Sequence, residues 1–237
     1  DLELDENVLQ NVQARGITIR VHSTKRIKSS KPVAFEINKD IYKRLKAGSS
    51  ISLAVVLDCT GSMGNEIESC KKGAIQLIST FRDLAPVKSA DFLGYWDPVN
   101  VPTDPQPKST GYLSPNGEDN MKRIQEFVDT ELMCDGGGDE PEDVPAALEK
   151  LVKDMKVAGL SADEGVHFVF FIADAGYRNN ESSRVQTALE ALKRLGVVMV
   201  MCPVRASSSC TTMVSQSRQC FQEVGQYIEL SDVGELA

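Results

Sequence analysis

From residue 51 onward, short and almost continuously apolar runs alternate with longer stretches in which apolar residues recur every three or four positions. Runs of the first kind suit strands buried on both faces of a sheet, and stretches of the second kind suit helices with one apolar stripe. Their alternation predicts βαβ units around a mainly parallel sheet, an α/β fold. Ile51–Leu57 reads as the first central strand, followed by a helix whose stripe is Ile67, Cys70, Ala74, Leu77 and Phe81. A second strand is expected at Ala90–Trp96. The stretch Asp97–Ser109, with four prolines, reads as a loop leading to a short third strand. Met121, Ile124 and Val128 mark a helix, Cys134–Glu140 a loop, and Leu148, Leu151, Val152 and Met155 another helix. Val166–Ala173 and Val197–Val204 are the next buried strands, separated by a helix over Val185–Leu195 that stops at Gly196. A last helix carries Met213, Cys220, Phe221 and Val224, and Tyr227–Leu230 is expected as an edge strand.

The first fifty residues differ. They hold an amphipathic start (Leu4, Val8, Leu9, Val12), two β-like runs at Ile17–Val21 and Val33–Ile37, and a short helix at Asp40–Ala47. Residues 1–50 are therefore read as an N-terminal extension packed on, or linking to, a main domain of residues 51–237. The chain has 237 residues, 41% of them hydrophobic and 25% charged, which suits a globular domain with a substantial core. Charge is unevenly spread: residues 1–50 carry ten Lys or Arg against six Asp or Glu, while the rest carries 16 against 28. A body this acidic repels nucleic acid, and the cluster Lys25, Arg26, Lys28 and Lys31 reads first as a solvated loop.

No run approaches the roughly 20 apolar residues that cross a bilayer, and the N-terminus lacks the layout of a signal peptide. A cytoplasmic setting is expected, as part of a longer protein. Six scattered cysteines, none in a C-x-x-C spacing, read as reduced and mostly buried. The two histidines, His22 and His167, give no zinc pattern, and His167 in an apolar strand reads as a core residue.

In an open α/β sheet, ligands bind beyond the carboxyl ends of the strands, and three acidic segments fall there. The first strand runs into Asp58-Cys59-Thr60-Gly61-Ser62, the strand Val166–Ala173 into Asp174, and the loop Asp135-Gly136-Gly137-Gly138-Asp139-Glu140-Pro141-Glu142-Asp143 precedes a helix. Carboxylate and hydroxyl oxygens without nitrogen or sulfur partners suit a hard cation, Mg2+ or alternatively Mn2+ or Ca2+. Alternate residues of Asp-x-Thr-x-Ser face one side, so Asp58, Thr60 and Ser62 can share one point.

These segments, in this order over residues 51 to about 231, resemble the von Willebrand factor A domains and their metal-ion-dependent adhesion site. Leu57–Met63, Gly136–Asp143 and Ile172–Ala175 look most like the subgroup joined to alpha-type protein kinases. The resemblance implies a Rossmann-like three-layer sandwich with helices on both faces. It implies metal ligation by Thr60 and Ser62 through their hydroxyls, with Asp58 and Asp174 acting largely through bound water, and a protein ligand that supplies an oxygen to the metal. It also puts Asp139 where most of the family has Thr, although the glycines align two ways and Asp135 competes for the position. With Asp58, Asp139 and Asp174 all ionised, the site would hold −3 against +2 and favour hydroxyl, carbonyl or water over a partner carboxylate.

The competing reading is enzymatic. Asp-Cys-Thr-Gly-Ser also resembles the phosphorylation loop of P-type ATPases and their haloacid dehalogenase relatives, in which the Asp, here Asp58, is a nucleophile beside magnesium. Cys59 stands where that loop has Lys, and an acidic glycine loop repels phosphate, so the binding reading is preferred and the chain is read as no enzyme. Nor does it carry a Gly-x-Gly-x-x-Gly or Walker lysine motif, which leaves any kinase to a neighbouring segment. Structural roles stand beside the chemical ones: Ser62 as the cap of the first helix, Asp139 with Glu142 as a capping box, and Glu140, Glu142 and Asp143 as a solvated helix start.

Overall fold

The computed structural model describes residues 17–21, 33–37, 39–97, 107–135, 141–204, 208–222 and 226–229. Near the N-terminus, β1 (Ile17–Val21) and β2 (Val33–Ile37) pair antiparallel, Ile17 opposite Ile37 and Val21 opposite Val33. Helix α1 (Lys39–Lys46) follows, matching the expected short helix.

The main sheet has six strands in the order β5-β4-β3-β6-β7-β8, where β3 is Ile51–Asp58, β4 Val87–Tyr95, β5 Lys108–Ser109, β6 Val166–Ala173, β7 Val197–Pro203 and β8 Tyr227–Glu229. All pair in parallel except β5, which runs antiparallel to β4. Strand β4 starts three residues before the expected Ala90. Its first turn is polar, yet Ser89 donates to Ser52 Oγ on the neighbouring strand at 3.1 Å, so the pair satisfies itself inside the sheet. The short third strand is present as β5; the proline stretch 98–106 lies outside the described residues, as do Val224 and Leu230.

The helices divide between the two faces. Side chains of α2 (Ile67–Arg82) and α3 (Glu118–Thr130) pack with Ile41 and Leu45 of α1 against Leu53, Val55, Phe92, Phe168 and Phe170. On the other face α4 (Val144–Val157), α5 (Ser182–Arg194) and α6 (Ser208–Gln222) cover Val56, Leu93, Val169, Phe171 and Met199. This is a three-layer Rossmann-like sandwich with a mainly parallel sheet. The central strands β3 and β6 are buried at every position, as their largely apolar sequences require, with Ser52, Asp58 and His167 the polar exceptions. The stripe Ile67, Cys70, Ala74, Leu77 and Phe81 lies wholly in the core. Helix α5 ends before Gly196, whose φ of +74° few other residues adopt readily. A Cβ there would also lie 2.9 Å from Ala162 Cα.

His167 is buried and its Nε2 donates to Ser161 O at 2.7 Å, a packed core residue as expected. All six cysteines are free, with Cys134 half-buried and the others buried. No helix among the described residues is long and apolar enough to cross a membrane.

One carboxylate interrupts the apolar layer. Asp91, on β4, is fully buried; its Oδ1 accepts from Thr110 Oγ1 at 3.0 Å, while Oδ2 has no hydrogen-bond partner among the described residues. Burial, reinforced by the negative charge of Asp154, pushes its carboxyl up from 3.8 to about 7. The folded chain therefore takes up a proton that the unfolded chain releases. That contribution to stability is whole below about pH 4 and is lost as pH climbs through about 7. Asp91→Asn keeps an acceptor for Thr110 and removes the charge. It is expected to stabilise the protein by on the order of 1–3 kcal/mol at pH 8.5 and by almost nothing at pH 4, read from denaturant unfolding at the two pH values.

Candidate functional site

The strand order places the site. The chain runs from β3 outward to β4 and β5, returns across β3 to β6, and continues outward to β7 and β8. The crossover after β3 goes to the face of α2 and the one after β6 to the face of α5, so the loops leaving these neighbouring strands diverge. Such a switch point is where open α/β sheets leave a crevice. Because Leu57 is paired with Ile172, Asp58 and Asp174 are delivered to the same end of adjacent strands.

Three of the four described candidate oxygens are enclosed, and all four are joined. Thr60 donates to Asp58 Oδ1 twice, from its backbone N–H at 3.0 Å and its hydroxyl at 2.8 Å. The Thr60 and Ser62 hydroxyls are 3.1 Å apart, and Ser62 Oγ donates to Asp174 Oδ1 at 3.0 Å. An unbroken line of hydrogen bonds thus runs from Asp58 through both hydroxyls to Asp174. Asp58, Thr60 and Asp174 are buried, whereas Ser62 faces solvent. Ser62 does not cap the first long helix: it lies in the 3-10 turn Gly61–Met63, and α2 begins only at Ile67 with no side-chain cap.

Of the glycine loop, Asp139 lies outside the described residues, as do Glu140 and the three glycines. Asp135 sits against the end of β3, its backbone N–H donating to Cys59 O at 3.1 Å, with its side chain exposed. Two expectations for the acidic run are corrected. The cap of α4 is Asp143, which accepts from Ala146 N at 3.3 Å, and Pro145 stands just inside the helix. Glu142 is no solvated helix start: it is only 4% exposed.

Sequence reasoning missed three further groups at the site. Burial, then the negative charges of Asp58, Asp97 and Asp174, push Glu142 up to about 8. Asp97, just past β4, faces Arg178 Nη2 at 3.4 Å. Tyr95, the last residue of β4, is buried among the same carboxylates, which together with its burial push its phenol well up. Asp58 itself is pushed up to about 7, first by burial and then by Asp174, against the pull of the Thr60 hydrogen bonds. Asp58 Oδ2, Tyr95 OH and Glu142 Oε2 are all buried without a hydrogen-bond partner among the described residues. Pro145 after Asp143 was the available signal for Glu142, since a Pro at the second helical position sets the cap at Asp143 and leaves Glu142 outside the helix.

Hard oxygens on rigid strand ends, one of them a carboxylate oxygen with no donor, fit a hard divalent cation in chemistry. Among the described residues no three His, Cys, Asp or Glu side chains form a group that could hold a metal ion.

Backbone bonds knit the surrounding loops together. Cys59 N donates to Tyr95 O at 2.9 Å, Glu142 N to Gly176 O at 2.8 Å, and Gly176 N to Ser209 Oγ at 3.0 Å. Gly176 packs directly on the first turn of α6, where a Cβ would lie 2.1 Å from Ser209 O.

No family model and no curated protein matches the sequence. Among solved structures, the chain is similar to two crystal structures of the pilus adhesin SpaC from Lactobacillus rhamnosus GG, one of them in an open conformation. Their TM-scores are 0.56 and 0.58, at 6% and 7% identity over 79% of this chain. The match takes in only 28% and 29% of the adhesin chains, and at this identity the likeness is one of fold.

Gly176→Ala must push α6 and the Asp174 loop apart, because the added carbon meets backbone and not a side-chain tip. A loss of about 1–3 kcal/mol is expected in urea unfolding, typical of overpacking, with the whole domain still folding.

Proposed function

We propose that this chain is a von Willebrand factor A type domain that binds a protein partner through one divalent cation, Mg2+ before Mn2+ or Ca2+, and that it catalyses no reaction itself. The observation that supports this most is the line Asp58, Thr60, Ser62, Asp174, which gathers two carboxylates and two hydroxyls from separate strand ends at the switch point of the sheet. Burial, and after it the charge of Asp174, raises the proton affinity of Asp58, and a bound cation would supply the positive charge that lets this carboxyl ionise. Thr60 and Ser62 would offer hydroxyl oxygens directly, and Asp58 and Asp174 would hold the ion largely through water. Ser62 is the solvent-facing member, so a partner's oxygen would approach over it.

The fold likeness to a pilus adhesin supports a protein-binding role. The enclosure of Asp58, with Oδ1 already taken by Thr60, supports binding over phosphoryl transfer, since a nucleophilic carboxylate needs open access to its substrate. Six free thiols support a cytoplasmic setting for this chain. A kinase on a neighbouring segment remains part of the same proposal.

Thermal unfolding with Mg2+ or Mn2+ against chelator tests it. At a concentration one hundred times the dissociation constant, the melting temperature of wild type is expected to rise by on the order of 5–10 °C. Ser62→Ala and Asp174→Asn are expected to lose most of that rise, and a wild-type melting temperature indifferent to both ions overturns the metal site. Partner capture that survives chelator and Ser62→Ala would overturn the metal-dependent binding role.

A further inference from the structure

Beside the two residues its pattern suggested, of which Asp139 lies outside the described residues, the glycine loop brings a third to the site. Of the acidic residues described in that loop, Asp135 turns its side chain to solvent and Asp143 caps α4. Glu142 alone turns inward. It is 4% exposed, held in place by its own N–H on Gly176 O at 2.8 Å, and it has one carboxylate oxygen with no hydrogen-bond partner among the described residues.

Its surroundings are one-sided in charge. The groups acting most strongly on it are Asp58, Asp97 and Asp174, all negative, and the Thr60 hydroxyl only partly offsets them. Asp97 has Arg178 to neutralise it, Asp174 accepts from Ser62, and Asp58 accepts from Thr60. Among the described residues no ion pair reaches Glu142. A carboxylate withdrawn from water beside three others, with an oxygen left unsatisfied, is costly unless it takes up a proton or a cation comes to it.

We infer that Glu142 is the carboxylate this loop contributes to the cation site, facing the same ion as Asp58 and Asp174. The inference rests on the metal-binding reading above and assigns it a residue. Glu142 does not stand with the two aspartates as a ready-made triad, so its hold is completed by the ion or by a water on it. The partner's chemistry follows. Three carboxylates against a divalent ion leave one negative charge, so the open side of the site receives a neutral oxygen such as a hydroxyl or carbonyl, and turns away an aspartate or glutamate.

Calorimetric titration of Mg2+ and of Mn2+ into wild type, Glu142→Gln, Asp135→Asn and Asp139→Asn tests this, with melting temperatures in chelator alongside. Glu142→Gln is expected to weaken Mn2+ at least tenfold while melting no lower than wild type in chelator, because the isosteric amide brings no charge into the buried position. That opposite sign separates a residue that serves the ion from one that merely packs. Affinity within twofold of wild type overturns the assignment while leaving the metal site standing, as does a loss confined to Asp135→Asn or Asp139→Asn. A melting temperature that falls in chelator by as much as the affinity loss predicts makes Glu142 structural and also overturns it. No binding of either ion by wild type overturns the metal site and this inference together.

Discussion

Two carboxylates held next to each other at the end of a buried parallel sheet set the terms for this molecule. Asp58 and Asp174 are adjacent because β3 and β6 are neighbours in register, and β3 and β6 are neighbours because the chain reverses its direction of travel between them. Nothing in the apolar layers tolerates that juxtaposition without help. That help is a pair of hydroxyls: Thr60 and Ser62 carry hydrogen bonds from one carboxylate to the other, across a gap that direct contact of like charges would force apart. Burial, and after it the neighbouring negative charges, raises the proton affinity of Asp58 and of Glu142, so the site is rich in carboxylate oxygens and short of positive charge. A hard cation answers that shortage, and the functional proposal grows from it.

The loops around the pair add precision. Cys59 is tied to Tyr95, Glu142 to Gly176 and Gly176 to Ser209, so the segments that end β3, β4 and β6 form one hydrogen-bonded collar with the start of α6. Each bond is backbone to backbone or to a short side chain, which fixes position better than long flexible groups do. The thiols nearby take no visible part: burial pushes Cys59 far above the ordinary thiol range, which makes it a small packing group.

Most of the fold was legible because its strongest signals are local. Continuous apolar runs such as Ile51–Leu57 and Val166–Ala173 have no place to go but the middle of a covered sheet, and the stripe from Ile67 to Phe81 can only be one face of a helix. The start of β4 was less visible since Lys88 and Ser89 read as polar, and Ser89 finds its partner, Ser52, only once the strands are paired. At the candidate site, order along the chain singled out Asp58, Thr60, Ser62 and Asp174, which the structure joins by hydrogen bonds. Glu142 was obscured because a run of acids before a helix looks the same whether its members face water or the interior. The distinction lies in which acid becomes the cap, and Asp143 followed closely by Pro145 takes that position. Ser62 was open to a capping role for a similar reason, until the 3-10 turn placed it a full turn ahead of α2.

The rims of the sheet have a meaning of their own. On one side it finishes with the two residues of β5, running against the direction of the others, and on the other with the three residues of β8. Among the described residues, neither of these two strands offers a run of unpaired amides and carbonyls long enough for a stray strand to copy. With rim strands this short, a foreign strand gains few backbone hydrogen bonds by laying itself along β5 or β8, and crowded copies find little there to zip into fibres.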